Sequence, residues 1–541
     1  MSSSDPDLVL HNAQIYTVDG RDSPASALAV RDGRFVAVGT ASEVSAATSD
    51  ARHINAGGRC IVPGFIDAHA HLEELGLSLH RADLTAADSP EAVVERLRAF
   101  VAERDLSEDA WLRGHGWDQN EWTPPHFPTR HDLDAAFPER PVWLTRTDVH
   151  AGWANTAALE ATVGLSRLHD LSSPSGGDIH RKDDGTPTGV LVDDAMALVE
   201  DQIPPPSESK RDRALSTALR HTTARGITGL HDAGVDLSTI RRFRRFIEED
   251  AFPLRMYAMI DGRGDAFDHF CKEGPLHHPS GRLDVESVKF FADGALGSRG
   301  AALLDPYADA PETRGFLLQD DEELRHNVMA AAACGFQVNT HAIGDRANRQ
   351  VLNAYEDVMQ RSEHPLRRPR IEHAQIVAPE DRARFGTLGV IASVQPGFGP
   401  SDQNWAPARL GASRLPHAYA WKRLREAGAA LAFGSDAPVE PIDPIRSIHA
   451  AVTPRAASGS AAGRGQLSRA AALYAQTQGA AYAAFQEDCV GSITAGKKAD
   501  FVVLSQDLMT VSPSRLLDTD VVATYLDGSP VYARPDWPAG Q

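Results

Sequence analysis

A chain of 541 residues has room for about three to four domain-sized units, so it is neither a peptide nor a small disulfide scaffold. Its hydrophobic fraction of 42% and charged fraction of 24% are those of a globular protein with a sizeable core, which excludes wholesale disorder. Lys+Arg total 54 against Asp+Glu 74, and the resulting charge of −20 repels phosphate backbones and anionic lipid heads, which argues against nucleic acid and membrane surfaces as partners without identifying what is bound.

The N-terminus, MSSSDPDLVLHNAQIYTVDG, lacks a basic segment followed by an apolar one, and no later apolar run is long enough to span a bilayer. The expectation is a soluble cytoplasmic protein without a cleaved leader. Cys60, Cys271, Cys334 and Cys489 are widely spaced with no CxxC pair, which argues against a disulfide framework and against a zinc finger. Short β-rich runs at Leu8–Leu10, Gln14–Thr17, Ala27–Val30 and Arg34–Val38 are separated by Asp-Gly turns at 19–20 and 32–33. Asp500–Leu504 and Val521–Leu526, followed by Asp527-Gly528, have the same character. The two chain ends are therefore expected to share one small β-sandwich, with 1–61 and 486–541 as its parts.

Between them, strand-like apolar runs alternate with helical stretches: IVPGFIDAH, GITGLHDAG, RMYAMID, SVKFFADG, FQVNTHAIG, PRIEHAQIV, GVIASVQPG and ALAFGSDAP. Eight such runs suit a closed (β/α)₈ barrel of TIM type over 62–485, an α/β fold whose active site lies at the C-terminal ends of its strands.

The strongest local signal is His69-Ala70-His71. On a strand, alternate residues share a face, so Asp67, His69 and His71 point one way and two imidazoles can hold one ion. His341, His373 and Asp436 each close a later predicted strand, and Lys289 lies within another. From His341 to His373 is 32 positions, about one βα unit, and from His373 to Asp436 is 63, about two. From His71 to Lys289 is 218 positions against roughly 90 for three units, which predicts an inserted subdomain over approximately 73–210. Four histidines, a lysine and an aspartate on successive strand ends form a metal-ligand pattern, and zinc suits imidazole and carboxylate donors best, with manganese, iron or cobalt as alternatives.

These motifs, together with GHGWDQNEW, RTDVHAGWAN, SVKFFADGALGSRGAAL, THAIGDRAN, IEHAQ, FGSDAPVEP and GKKADFVVL, make the sequence resemble the amidohydrolase superfamily over nearly its whole length. Within it, the chain is similar to the amidohydrolase 3 or YtcJ-like group, which includes N-substituted formamide deformylases. The resemblance implies that His69, His71 and Asp436 bind one ion and His341 and His373 a second. Lys289 would bridge them as an Nζ-carbamate, or stand as an ordinary lysine beside a single ion. A divalent ion brings the pKa of a bound water towards neutrality, and Asp436 would accept that water's proton and pass it to the departing nitrogen.

The implied activity is metal-dependent hydrolysis of a non-peptide amide-type bond in a small N-acyl or N-formyl compound. Ester or carbamate hydrolysis, a lyase reaction, and a degenerate ligand-binding or regulatory protein are the alternatives. Weaker candidates for substrate contact are Trp117, Gln119, His150, His231 and Arg299, each of which is as well explained by packing or pairing. Asp293 would shape the pocket, and Asp345 and Arg346 would pair near a helix start. A homodimer is the expected assembly, as for most soluble enzymes.

Overall fold

A computed structural model describes residues 8–20, 24–45, 51–85, 87–104, 110–119, 122–146, 151–174, 177–453 and 466–538. The chain divides into two compact units, one formed by 1–75 with 215–541 and the other by 76–214.

In the first unit, eight parallel strands follow one another in chain order: β1 (Phe65–Ala70), β2 (Ile227–Val235), β3 (Arg255–Asp261), β4 (Leu283–Phe291), β5 (Gln337–Ala342), β6 (Arg370–His373), β7 (Ile391–Val394) and β8 (Ala430–Phe433). They coincide with the eight runs read from the sequence, and nearly every residue in them is buried, as expected of parallel strands covered on both faces. The helices between them carry one apolar stripe. Leu237–Glu248, capped by the Asp236 carboxylate on the Thr239 N–H, buries Ile240, Phe243 and Phe246 at three-residue spacing.

The barrel is nearly closed at the seam between β8 and β1. The Asp436 N–H donates to the His69 carbonyl at 2.7 Å and the His71 N–H to the Ala437 carbonyl at 2.8 Å. Gly434 permits this approach, since a Cβ there would sit 2.6 Å from the His69 nitrogen. Asp67 reinforces the seam by accepting the N–H groups of His69 and Ser435.

Both chain ends do contribute to one further sheet. Its strands run in the order Ser529–Ala533, Val521–Leu526, Phe501–Leu504, Cys60–Pro63, Leu8–Ile15, Ala25–Arg31 and Arg34–Gly39, with Arg52–Asn55 also paired to Leu8–Ile15. The hairpins at Asp32-Gly33 and Asp527-Gly528 have positive φ at both turn residues, the geometry that favours Asp-Gly. Asp19-Gly20 instead lies in a longer connection. The chain stays extended past Ile15 because the Tyr16 N–H donates to Ile61 and the Thr17 carbonyl accepts from Ile493. The sheet is fastened to the barrel by the buried Arg255 at the start of β3, which donates to both oxygens of Asp500 and to Asp527.

Cys271 and Cys334 form a disulfide with their Cα atoms 5.1 Å apart. Their separation of 63 residues hides the fact that Cys271 lies in the helix before β4 and Cys334 caps the C-terminus of the helix before β5, so the wide spacing did not exclude a single bridge.

The second unit is built on a six-stranded sheet with the order Gly177–Arg181, Pro187–Asp193, Ala151–Ala154, Val142–Arg146, Leu112–Trp117 and Ala82–Asp83. Leu112, Val142, Leu144 and three tryptophans, Trp117, Trp122 and Trp153, form its core. Among the described residues of either unit, no helix is long and apolar enough to cross a membrane.

Candidate metal centre

The C-terminal ends of the barrel strands bring six side chains together. His69 and His71 come from the end of β1, Lys289 from β4, His341 from β5, His373 from β6 and Asp436 from the turn after β8. Donor atoms of His69, His71 and Asp436 all lie within 4.8 Å of one another. The Asp436 Oδ1 is 3.2 Å from His71 Nε2 and 3.4 Å from His69 Nε2. Lys289 Nζ lies 3.3 Å from His69 Nε2 and 4.5 Å from the centre of the Phe291 ring. The His373 ring is 4.9 Å from that of His69 and 4.5 Å from that of His341, so the six form one cluster.

Two of these residues have backbones in the left-handed region, His373 at φ 73° and Asp436 at φ 61°. Such conformations cost about 1–3 kcal/mol each for residues with side chains and persist where the surroundings hold them. His373 Nδ1 is fixed 2.7 Å from Gln395 Oε1, and its ring stacks on Phe398. The Asp436 backbone is held by the seam to β1.

The electrostatics suit a cation. Burial and the nearby Lys289 drive His69 well below the ordinary imidazole range, burial and His373 do the same to His341, and burial lowers His373. Neutral imidazole is the form that binds metal. Burial acts in the same direction on His71, but the adjacent Asp436 outweighs it and raises the net value. Burial would raise the Asp436 carboxyl, yet His71, His69 and His373 hold it far below the usual range, so it is ionised at neutral pH. Lys289, only 1% exposed, is lowered to about 8, chiefly by burial. The His341 Nε2 is buried with no hydrogen-bond partner among the described residues. A converging set of imidazole and carboxylate donors with an orphaned buried nitrogen beside it fits a divalent ion.

The family profile described as "Amidohydrolase family" matches residues 52–532. The chain belongs to the amidohydrolase family. It is 34% identical to YtcJ of Bacillus subtilis (strain 168) over 97% of its own length and 99% of that protein's. It is 29% identical to the N-substituted formamide deformylase of Arthrobacter pascens, covering 98% of both chains. Among solved structures it resembles an uncharacterized metal-dependent hydrolase from Pyrococcus horikoshii OT3, with a TM-score of 0.77 at 28% identity over 94% of this chain and 99% of that one.

The weaker candidates lie in varied settings. Trp117 is fully buried in the core of the second unit, with its ring N–H donating to the Leu144 carbonyl. Gln119 accepts from Arg146 at 2.8 Å, and His150 lies outside the described residues. Arg299 pairs with Asp309 at 3.0 Å. His231 is 1% exposed inside the barrel, with its Nδ1 3.0 Å from an Arg370 N–H. Asp345 accepts the backbone N–H groups of Leu304 and Arg346 and makes no pair with the Arg346 side chain. Asp293 accepts three buried backbone N–H groups, from Ala302, Ile343 and Gly344, and lies 3.5 Å from His341 Nε2. Burial raises its carboxyl to about 7.

Two further residues of this site lie within the PRIEHAQIV run without having been singled out in the sequence. Arg370 and Glu372, both 0% exposed, face the barrel interior from β6, and Glu372 Oε2 lies 2.5 Å from His69 Nδ1. Opposite charges two positions apart in the short strand Arg370–His373 are the sequence feature that marks them, because alternation places both on one face.

Proposed function

We propose that the protein is a metal-dependent hydrolase that cleaves an amide-type, non-peptide C–N bond in a small N-acyl or N-formyl compound. The observation that carries this reading is the convergence of the His69, His71 and Asp436 donors at the barrel rim, with Lys289, His341 and His373 beside them. The names of the Arthrobacter deformylase and the Pyrococcus hydrolase support it.

His69, His71 and Asp436 would hold one ion, and His341 and His373 a second. A bound divalent ion supplies Lewis acidity, which polarises a carbonyl and acidifies water. Lys289 supports the two-ion form: with its amine at about 8, a fraction is neutral at pH 7, and the free pair on Nζ attacks carbon dioxide and releases one proton to give a carbamate anion. Asp436, ionised before substrate arrives, accepts a proton at a carboxylate oxygen from the attacking water as the water oxygen bonds to the carbonyl carbon. The C–N bond then breaks, the proton passes from Asp436 to the leaving nitrogen, and an amine and a carboxylic acid depart. Phe291, 38% exposed beside Lys289 and His341, and Phe398, stacked on His373, supply apolar walls for a substituent.

The test is metal content and turnover on a panel of N-substituted formamides, followed as released formate. Chelator treatment is expected to abolish turnover and zinc to restore it, with the mass of the intact chain reporting carbamylation of Lys289. Full turnover in metal-free protein, or activity on esters but on no amide, would overturn the reading.

A further inference from the structure

Inside the barrel, beneath the proposed ligands, Arg370 of β6 reaches three other strands and its own neighbour Glu372. One terminal nitrogen donates to the Ala68 carbonyl of β1 at 2.6 Å, to Glu372 Oε2 of β6 at 3.2 Å and to Ser393 Oγ of β7 at 3.0 Å. The other lies 3.0 Å from His231 Nδ1 of β2. Its Nε approaches Glu372 Oε1 at 2.8 Å, so the two buried charges compensate each other. Glu372 in turn spends its second oxygen on His69 Nδ1 at 2.5 Å.

A guanidinium carries only donors, and a carboxylate paired with one is an acceptor. The nitrogen of His231 that meets Arg370 must therefore be the unprotonated one, and the nitrogen of His69 that meets Glu372 must carry hydrogen. A neutral imidazole has one N–H, so the remaining nitrogens are fixed by difference. His69 Nε2, which faces Asp436 and Lys289, holds a lone pair. His231 Nε2, which is buried, holds the hydrogen by difference, and the Ala68 carbonyl is the backbone acceptor for this ring.

We propose that the buried Arg370–Glu372 pair is a positioning device that assigns opposite tautomers to two barrel histidines, making His69 a metal ligand and His231 a hydrogen-bond donor that cannot ligate through Nε2. The assignment for His69 rests on the metal-dependent reading above, whereas the tautomers themselves can be read without metal. It accounts for why His69, near the end of β1, and His231, in the middle of β2, differ, with only His69 joined to the converging donor set.

Two measurements on the full chain decide the matter. Histidine ¹⁵N spectra of the metal-free wild type, assigned with His69→Gln and His231→Gln, should show His69 protonated on Nδ1 and His231 on Nε2. Finding both as the same tautomer would overturn the proposal. In Glu372→Gln, which keeps the shape but removes the charge, zinc affinity measured by chelator competition should fall about 10–100-fold, with His231 unchanged in its spectrum. A folded Glu372→Gln variant with wild-type zinc affinity would also overturn it. Should that variant not fold, the wild-type spectra decide alone. Wild-type protein that binds no zinc would sink the proposed metal centre, while the spectra would still decide the tautomers.

Discussion

At the barrel rim and just beneath it, Lys289, His69, Arg370 and Glu372 are almost wholly removed from solvent, and His373 and Asp436 hold left-handed backbones. The sheet made from the chain ends is built from other material: Leu10, Ile15, Leu28, Phe35 and Ile61 fill its core, and Phe501 stacks on Tyr525 with ring centres 4.4 Å apart. Apolar burial in the sheet contributes about 25 cal/mol per Å², whereas every buried charge at the rim needs a partner before it ceases to destabilise. The two regions differ in where such features fall: in the sheet, left-handed backbones sit at turns such as Asp32 and Asp527 and the buried Arg255 is paired with Asp500 and Asp527, whereas at the rim they fall on His373 and Asp436 within the converging donor cluster.

Substitutions should separate the two regions. The largest effect is expected from Asp436→Asn, which should lower kcat by about 10²–10⁴-fold while the melting temperature stays near that of the wild type. Turnover near the wild-type rate would remove Asp436 from proton transfer. Phe501→Ala should do the reverse, costing about 3–5 kcal/mol in urea unfolding with kcat per folded molecule unchanged. Loss of kcat in step with stability would show that the sheet and the rim are not separable.

A smaller effect concerns pH. Burial and the Arg225 guanidinium lower His221 from 6.5 to about 4. The unfolded chain therefore takes up a proton on this ring between pH 6.5 and 4 while the folded chain does not. Its contribution is intact above about 6.5 and is lost as pH falls, by about 1–3 kcal/mol. Urea unfolding at pH 7 and pH 5 should show this loss, and His221→Gln should reduce the slope; equal slopes would exclude the group. The smallest effect is expected of Arg299→Gln. The side chain pairs with Asp309 at the surface, so stability should change by less than about 0.5 kcal/mol, and KM for the formamide panel should hold. A large rise in KM would instead assign Arg299 to the substrate.

Much of this architecture is legible in the sequence for a physical reason. Parallel strands buried on both faces are written as continuous apolar runs, and a polar residue at the end of each run marks the rim, which is how His341, His373 and Asp436 stand out. Turns were legible where the backbone demanded Asp-Gly, at 32–33 and 527–528. They were not at 19–20, where hydrogen bonds to Ile61 and Ile493 prolong the extended segment. Arg370 and Glu372 escape notice because charged residues in a strand read as solvated until the fold encloses them. Trp117 is the converse: a tryptophan between glycine and aspartate reads equally as wall or core, and only the sheet of the second unit decides it. Cys271 and Cys334 were obscured because adjacent barrel helices are neighbours in space and distant in chain.

The pairing of Phe501–Leu504 with Cys60–Pro63 also sets an order of events during synthesis. Until the strands of 501–533 have been made, the earlier strands present an open edge and an unfilled apolar face. A product lacking the segment from Phe501 onward would leave Leu10, Ile15, Phe35 and Ile61 without the apolar partners that cover them in this sheet, the kind of surface on which aggregation begins.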